Sequence, residues 1–112
     1  MKLGKLYEVQ EYSWLCVSTK ELVISLQSVV YGTGPHRGLG SVLGDGGATS
    51  AWWAQHAGFP VSCVAKNSLV VLLEQDDILV KLLTSDGTVC WTAVTRDSWW
   101  CFVEPHATTK GI

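Results

Sequence analysis

The stretch Ser68–Glu104, SLVVLLEQDDILVKLLTSDGTVCWTAVTRDSWWCFVE, alternates short apolar runs with polar turns, and its reading decides the fold class. Leu69 to Leu73 and Ile78 to Leu83 are β-branched and apolar runs separated by Gln75-Asp76-Asp77, the pattern of a hairpin. A second turn, Ser85-Asp86-Gly87, places at its tip a residue that tolerates positive φ, and Thr88-Val89-Cys90-Trp91 leaves it as the next strand. Thr95-Arg96-Asp97 predicts a third turn, followed by Trp99, Trp100, Phe102 and Val103 as a last strand that closes or caps a barrel. Short strands at this spacing imply an antiparallel barrel or sandwich rather than βαβ units.

Working outward, Leu6 to Val9 and Ser13 to Val17 read as two opening strands meeting near Gln10-Glu11-Tyr12 and available to pair with the terminal strands. Ser18-Thr19-Lys20-Glu21 fits a capping box. Leu22, Val23, Leu26, Val29 and Val30 then share one helical face, although Leu22, Ile24 and Leu26 also fit strand alternation; helix is the favoured reading. Residues 31–47, YGTGPHRGLGSVLGDGG, hold seven of the chain's eleven glycines and predict a long loop. Thr49 or Ser50 caps a second helix through Trp52, Trp53 and His56, which Gly58 stops.

The run Ile78-Leu79-Val80-Lys81-Leu82-Leu83, then Asp86-Gly87-Thr88-Val89-Cys90-Trp91, resembles the strand, Asp-Gly hairpin and Gly-Trp strand of bacterial and phage SH3-like domains. Cys90 stands where that pattern usually has glycine, and the likeness covers about a third of the chain. As a whole the chain is also similar to small proteins of marine tailed phages that open with a Lys-Leu-Tyr-x-Val…Trp-Leu strand pair. The expectation is a mainly β, α+β fold: a small SH3-like antiparallel β-barrel with two short helices and a glycine-rich insertion. Residues 1–105 would be one domain, with helices and loop inserted at about 18–58 and a tail over 106–112. The resemblance adds a phage setting, in which such a protein binds and modulates a host protein. Decoration of a virion capsid or tail is the alternative.

With 112 residues the chain is long enough for one core burying roughly 65% of its unfolded surface. Eight basic and ten acidic residues leave a net charge of −2, which gives no footprint for a phosphate backbone, so no nucleic-acid partner is expected. Charged residues are only 16% of the chain, yet no apolar run approaches the ~18–20 residues that span a bilayer. No membrane association is expected. Lys5 and Glu8 interrupt any secretory-type apolar segment at the N-terminus, which implies the cytoplasm, or the virion under the alternative reading. Cys16, Cys63, Cys90 and Cys101 lie far apart and lack paired zinc-ligand spacing, so reduced thiols packed as small hydrophobes are expected, with no metal or other cofactor.

Catalysis finds little support. His36, His56 and His106 lie in a loop, a helix and a tail, with nothing placing them beside a nucleophile. Asp76-Asp77 occupies a hairpin tip, where carboxylates stay solvated. Cys90 sits in a strand interior with no helix N-terminus or cation to lower its pKa, which predicts an inert thiol. The glycine-rich loop has neither the P-loop nor the dinucleotide spacing, so a partner-ordered loop is preferred over a phosphate cradle. What remains is a non-enzymatic protein-interaction module. Its candidate partner-binding residues are Pro35, His36, Arg37 and Leu39 in the loop, with one member each of Trp52/Trp53 and Trp99/Trp100 facing outward. The six tryptophans also make a homo-oligomer possible, since a symmetric assembly would bury spare indoles.

Overall fold

The computed structural model describes residues 1–32, 37–40 and 49–105. Five strands, β1 (Leu6–Val9), β4 (Leu69–Asp76), β5 (Leu79–Thr84), β6 (Val89–Ala93) and β7 (Phe102–Val103), form an antiparallel sheet in the order β6-β5-β4-β1-β7. A second ribbon pairs β2 (Trp14–Cys16) with β3 (Ser62–Val64), and two helices, α1 (Lys20–Tyr31) and α2 (Ser50–Ala57), complete a small α+β domain. Among the described residues the sheet does not close into a barrel. The β2–β3 ribbon reaches the β6 edge through a single bridge, Val17 to Trp91, and the opposite edge only through side chains, where the Trp14 and Phe102 rings lie 5.3 Å apart.

The meander β4–β5–β6 follows the alternation of its sequence, with corrections at the turns. β4 runs on through Gln75 and Asp76, and the reversal falls on Asp77-Ile78, with Asp77 at φ 56°. A register shift between Leu72 and Glu74 moves the later pairing along by one residue, which carries the strand past the expected turn. At the next turn Gly87 sits at φ 88°, its N–H donates to Thr84 O at 3.0 Å, and Thr84 N–H donates to Thr88 O at 2.8 Å. The third expectation fails: Arg96–Cys101 is a 3₁₀ helix, and only Phe102-Val103 is strand. Ser98 N–H donates to Thr95 O at 2.9 Å and the Trp99 indole N–H to Val94 O at 3.3 Å, local bonds that coil the segment instead of extending it.

The two opening strands do not pair with each other. Glu11 at φ 73° turns the chain after β1, so β1 joins the main sheet between β4 and β7 while β2 joins the ribbon. α1 is helical as favoured, but its N-cap is Thr19, whose Oγ1 accepts from Leu22 N–H at 3.2 Å, not Ser18. α2 is capped by Thr49 and ended by Gly58 in the left-handed conformation at φ 86°, as its sequence predicts.

Two cores result, on opposite faces of the sheet. Tyr7, Val9, Val70, Leu72, Val80, Leu82 and Cys90 line the inner one with Trp14, Cys16 and Phe102. Leu15, Val17, Trp91 and Ala93 face the other way, where α1 covers them with Val23 and Leu26. The segment 37–40 is stitched into this second core. Leu39 N–H donates to Ala93 O at 3.0 Å, Leu15 N–H to Leu39 O at 3.3 Å, and the Tyr31 hydroxyl to Gly38 O at 2.6 Å.

Substituting Gly87 by Val should lower stability by about 1–3 kcal/mol, because a β-branched residue is strained at positive φ. A denaturation midpoint equal to wild type would rule this turn geometry out. Gly40→Ala tests packing instead of strain: a Cβ there would lie 2.8 Å from the fully buried Trp14 ring, which has no room to retreat. The expected loss is about 1–3 kcal/mol, read by the same titration.

Candidate functional site

Side chains alternate across a sheet, so an eight-residue β4 with apolar residues at five consecutive positions needs cover on both faces. The inner face has it. On the outer face α1 covers Trp91, Ala93 and Leu79 at one end only. The remainder is an apolar row that crosses four strands in register: Leu6 opposite Val71, Val71 opposite Leu83, Leu83 opposite Val89. Its ends are open, Leu6 at 42% and Val89 at 43% exposure, and Leu69 and Leu73 are also exposed on β4. Charged residues frame the row: Glu8, opposite Leu69, on one side and the Lys81–Glu74 pair at 3.8 Å on the other.

The tryptophans divide as their adjacency requires. Trp52 is 48% exposed while Trp53 packs against the outer core; Trp100 is 58% exposed while Trp99 packs against the inner one. The Trp99/Trp100 split arises on a 3₁₀ helix, not from strand alternation. Trp52 stacks on His56 at 4.8 Å, and Trp100 meets Tyr12 edge-on at 6.4 Å. Of the loop residues, Pro35 and His36 lie outside the described residues. Arg37 is exposed and lies over the Tyr31 ring at 5.4 Å. Leu39 is corrected: it is fully buried beneath α1, where it anchors the segment and is unavailable to a partner.

A second feature was not anticipated. Cys16, Cys63 and Cys90 line one cleft of about 310 Å³, floored by strands and edged by hydroxyls of Ser62, Thr84 and Thr88 and by Asp86. All four cysteines are free. Cys16 and Cys90 are neighbours there. The Cys16 thiol holds Cys90 below the ordinary thiol range, against burial and the Asp86 charge, while the Cys90 thiol and burial push Cys16 well above it. Sequence spacing concealed the pair because a strand-to-strand neighbour, not a helix dipole or a cation, perturbs Cys90. Among the described residues no group of three or more His, Cys, Asp or Glu side chains is arranged to hold a metal ion, and no described helix is long and apolar enough to cross a membrane.

Compared with known proteins, this chain matches no family model, no curated protein and no solved structure.

At the cleft's rim Asp86 Oδ1 accepts from the Thr84 hydroxyl and from Thr88 N–H at 3.1 Å, and these bonds hold its carboxyl below the usual range. A depressed folded pKa contributes stability above the unfolded value that is lost as pH falls through the folded one. Below about pH 4 the wild type should therefore lose stability more steeply than Asp86→Asn, and parallel acid limbs in urea titrations would refute the bonded geometry.

Proposed function

We propose that this chain is a non-enzymatic protein-interaction module that binds a protein partner through the uncovered apolar face of its sheet. The observation that carries this reading is the row Leu6–Val71–Leu83–Val89, set in register across four strands and lying outside the end of the sheet that α1 covers. A contiguous apolar strip with a charged frame is what a partner's apolar surface covers, with the charges setting orientation. Trp52 and Trp100 are the anchors best suited to extend it, since an indole offers large area at little rotamer entropy. Arg37, within the glycine-rich segment, is an exposed cation.

We read the fold as an opened SH3-like barrel. What supports this is the chain order: a three-strand meander carrying the Asp86-Gly87 hairpin, then a 3₁₀ turn, then a short last strand returning to β1. The residues between β1 and β4 make a long insertion that contributes the ribbon and both helices. In the phage setting that the resemblance implies, the partner is a host protein. The virion alternative draws on the same strip, because a row of apolar residues is self-complementary under a two-fold axis.

Leu6→Lys and Val89→Lys place a cation at either end of the row without touching either core. Each should weaken capture of the partner from a lysate of the bacterial host by about 1–3 kcal/mol, with the thermal midpoint nearly unchanged. Light scattering of the purified chain separates the two settings: a monomer points to a host partner, and an assembly that both substitutions dissolve points to the virion. Undiminished capture by both variants, from a chain that is monomeric throughout, would remove the sheet face as the interface.

A further inference from the structure

We propose that Cys16 and Cys90 are a redox-active dithiol that hydrogen peroxide converts to a disulfide within the cleft. Two observations place the reaction there. The Val17–Trp91 bridge is antiparallel, so Cys16 and Cys90 lie diagonally across it on the same face, toward the inner core. Both open onto a cleft of about 310 Å³, many times the volume of a peroxide molecule. The neighbouring Cys16 thiol favours the Cys90 thiolate, the form that reacts.

The chemistry balances without another reagent. The Cys90 thiolate attacks one peroxide oxygen, the O–O bond breaks, and hydroxide leaves to be protonated as water, giving Cys90 sulfenic acid. The Cys16 sulfur then attacks the Cys90 sulfur. The S–S bond forms, the S–O bond breaks, and hydroxide departs with the Cys16 proton as a second water. Two thiols are oxidised and one peroxide is reduced to two waters. A diagonal pair sits wider than a disulfide, so closure draws β2 toward β6. One isolated bridge, not a full ladder, joins the two strands, so closure has a single backbone pair to adjust. Cys63 opens on the same cleft, but partial burial pushes its thiol above the ordinary range, and Cys101 is buried at the end of the 3₁₀ helix.

Tryptic cleavage separates the four thiols, placing Cys16 in Leu6–Lys20, Cys63 in Gly38–Lys66, Cys90 in Leu82–Arg96 and Cys101 in Asp97–Lys110. The full chain would be treated with equimolar hydrogen peroxide, unfolded, alkylated, digested and mapped by mass. The expected result is an intact mass lower by two hydrogens, two alkylated cysteines at positions 63 and 101, and one linked pair joining Leu6–Lys20 to Leu82–Arg96. The exposed-site variant Cys63→Ser should give the same link. Because that link closes a long stretch of chain, the oxidised protein should also melt at a higher temperature than the reduced one. A link through Cys63 or Cys101, Cys90 halted as a sulfinic acid with Cys16 still alkylated, or four alkylated cysteines after peroxide would each overturn the proposal.

Discussion

Both cores depend on two backbone hydrogen bonds, Val17 N–H to Trp91 O at 2.9 Å and Trp91 N–H to Val17 O at 2.7 Å. β2 is buried at every position because it passes between the cores: Trp14 and Cys16 point inward, Leu15 and Val17 outward under α1. Residues on both sides of so short a strand hold it in place only if its backbone is fixed to something. The bridge supplies that, reinforced by the Thr92 hydroxyl, which donates to Leu15 O inside the protein. Leu39, wedged between Ala93 and Leu15, continues the same backbone link. A helix, a ribbon and a sheet are thus held together by a few bonds around one strand.

This dependence explains what was legible in the sequence. The C-terminal meander and α2 could be read because their determinants are local: alternation, Asp86-Gly87, the Thr49 cap, the Gly58 stop. The pairing of β2 with β3 was not legible, since it joins Trp14 to Val64 across an insertion whose composition records nothing of register. Trp99-Trp100 misled for a different reason. Aromatic residues favour strands, but Thr95, Ser98 and the Trp99 indole find hydrogen-bond partners within their own turn. Leu39 looked like a loop residue because glycines surround it. Those glycines are instead what lets the chain approach Trp14 closely enough to bury Leu39.

Of the candidate interface, the sequence disclosed the adjacent tryptophans and hence that one of each pair faces outward. It did not disclose the apolar row. Leu69-Val70-Val71-Leu72-Leu73 announces a strand covered on both faces, and whether the cover is internal depends on where α1 lands. α1 lands on β5 and β6, steered by Val23 and Leu26 toward Trp91 and Ala93. The uncovered strip follows from where the helix packs, which no local pattern records.

The two features that local sequence did not reveal meet on β6. Val89 ends the outer row and Cys90 lines the inner cleft, so consecutive residues serve opposite faces of one edge strand. An edge strand in an open sheet exposes unpaired backbone, a liability that β6 relieves with the Val17–Trp91 bridge and the Leu39 N–H bond to Ala93 O. Trp91, the residue after Cys90, seats α1 on the outer face, so the strand that lines the cleft also carries the helix that covers one end of the sheet.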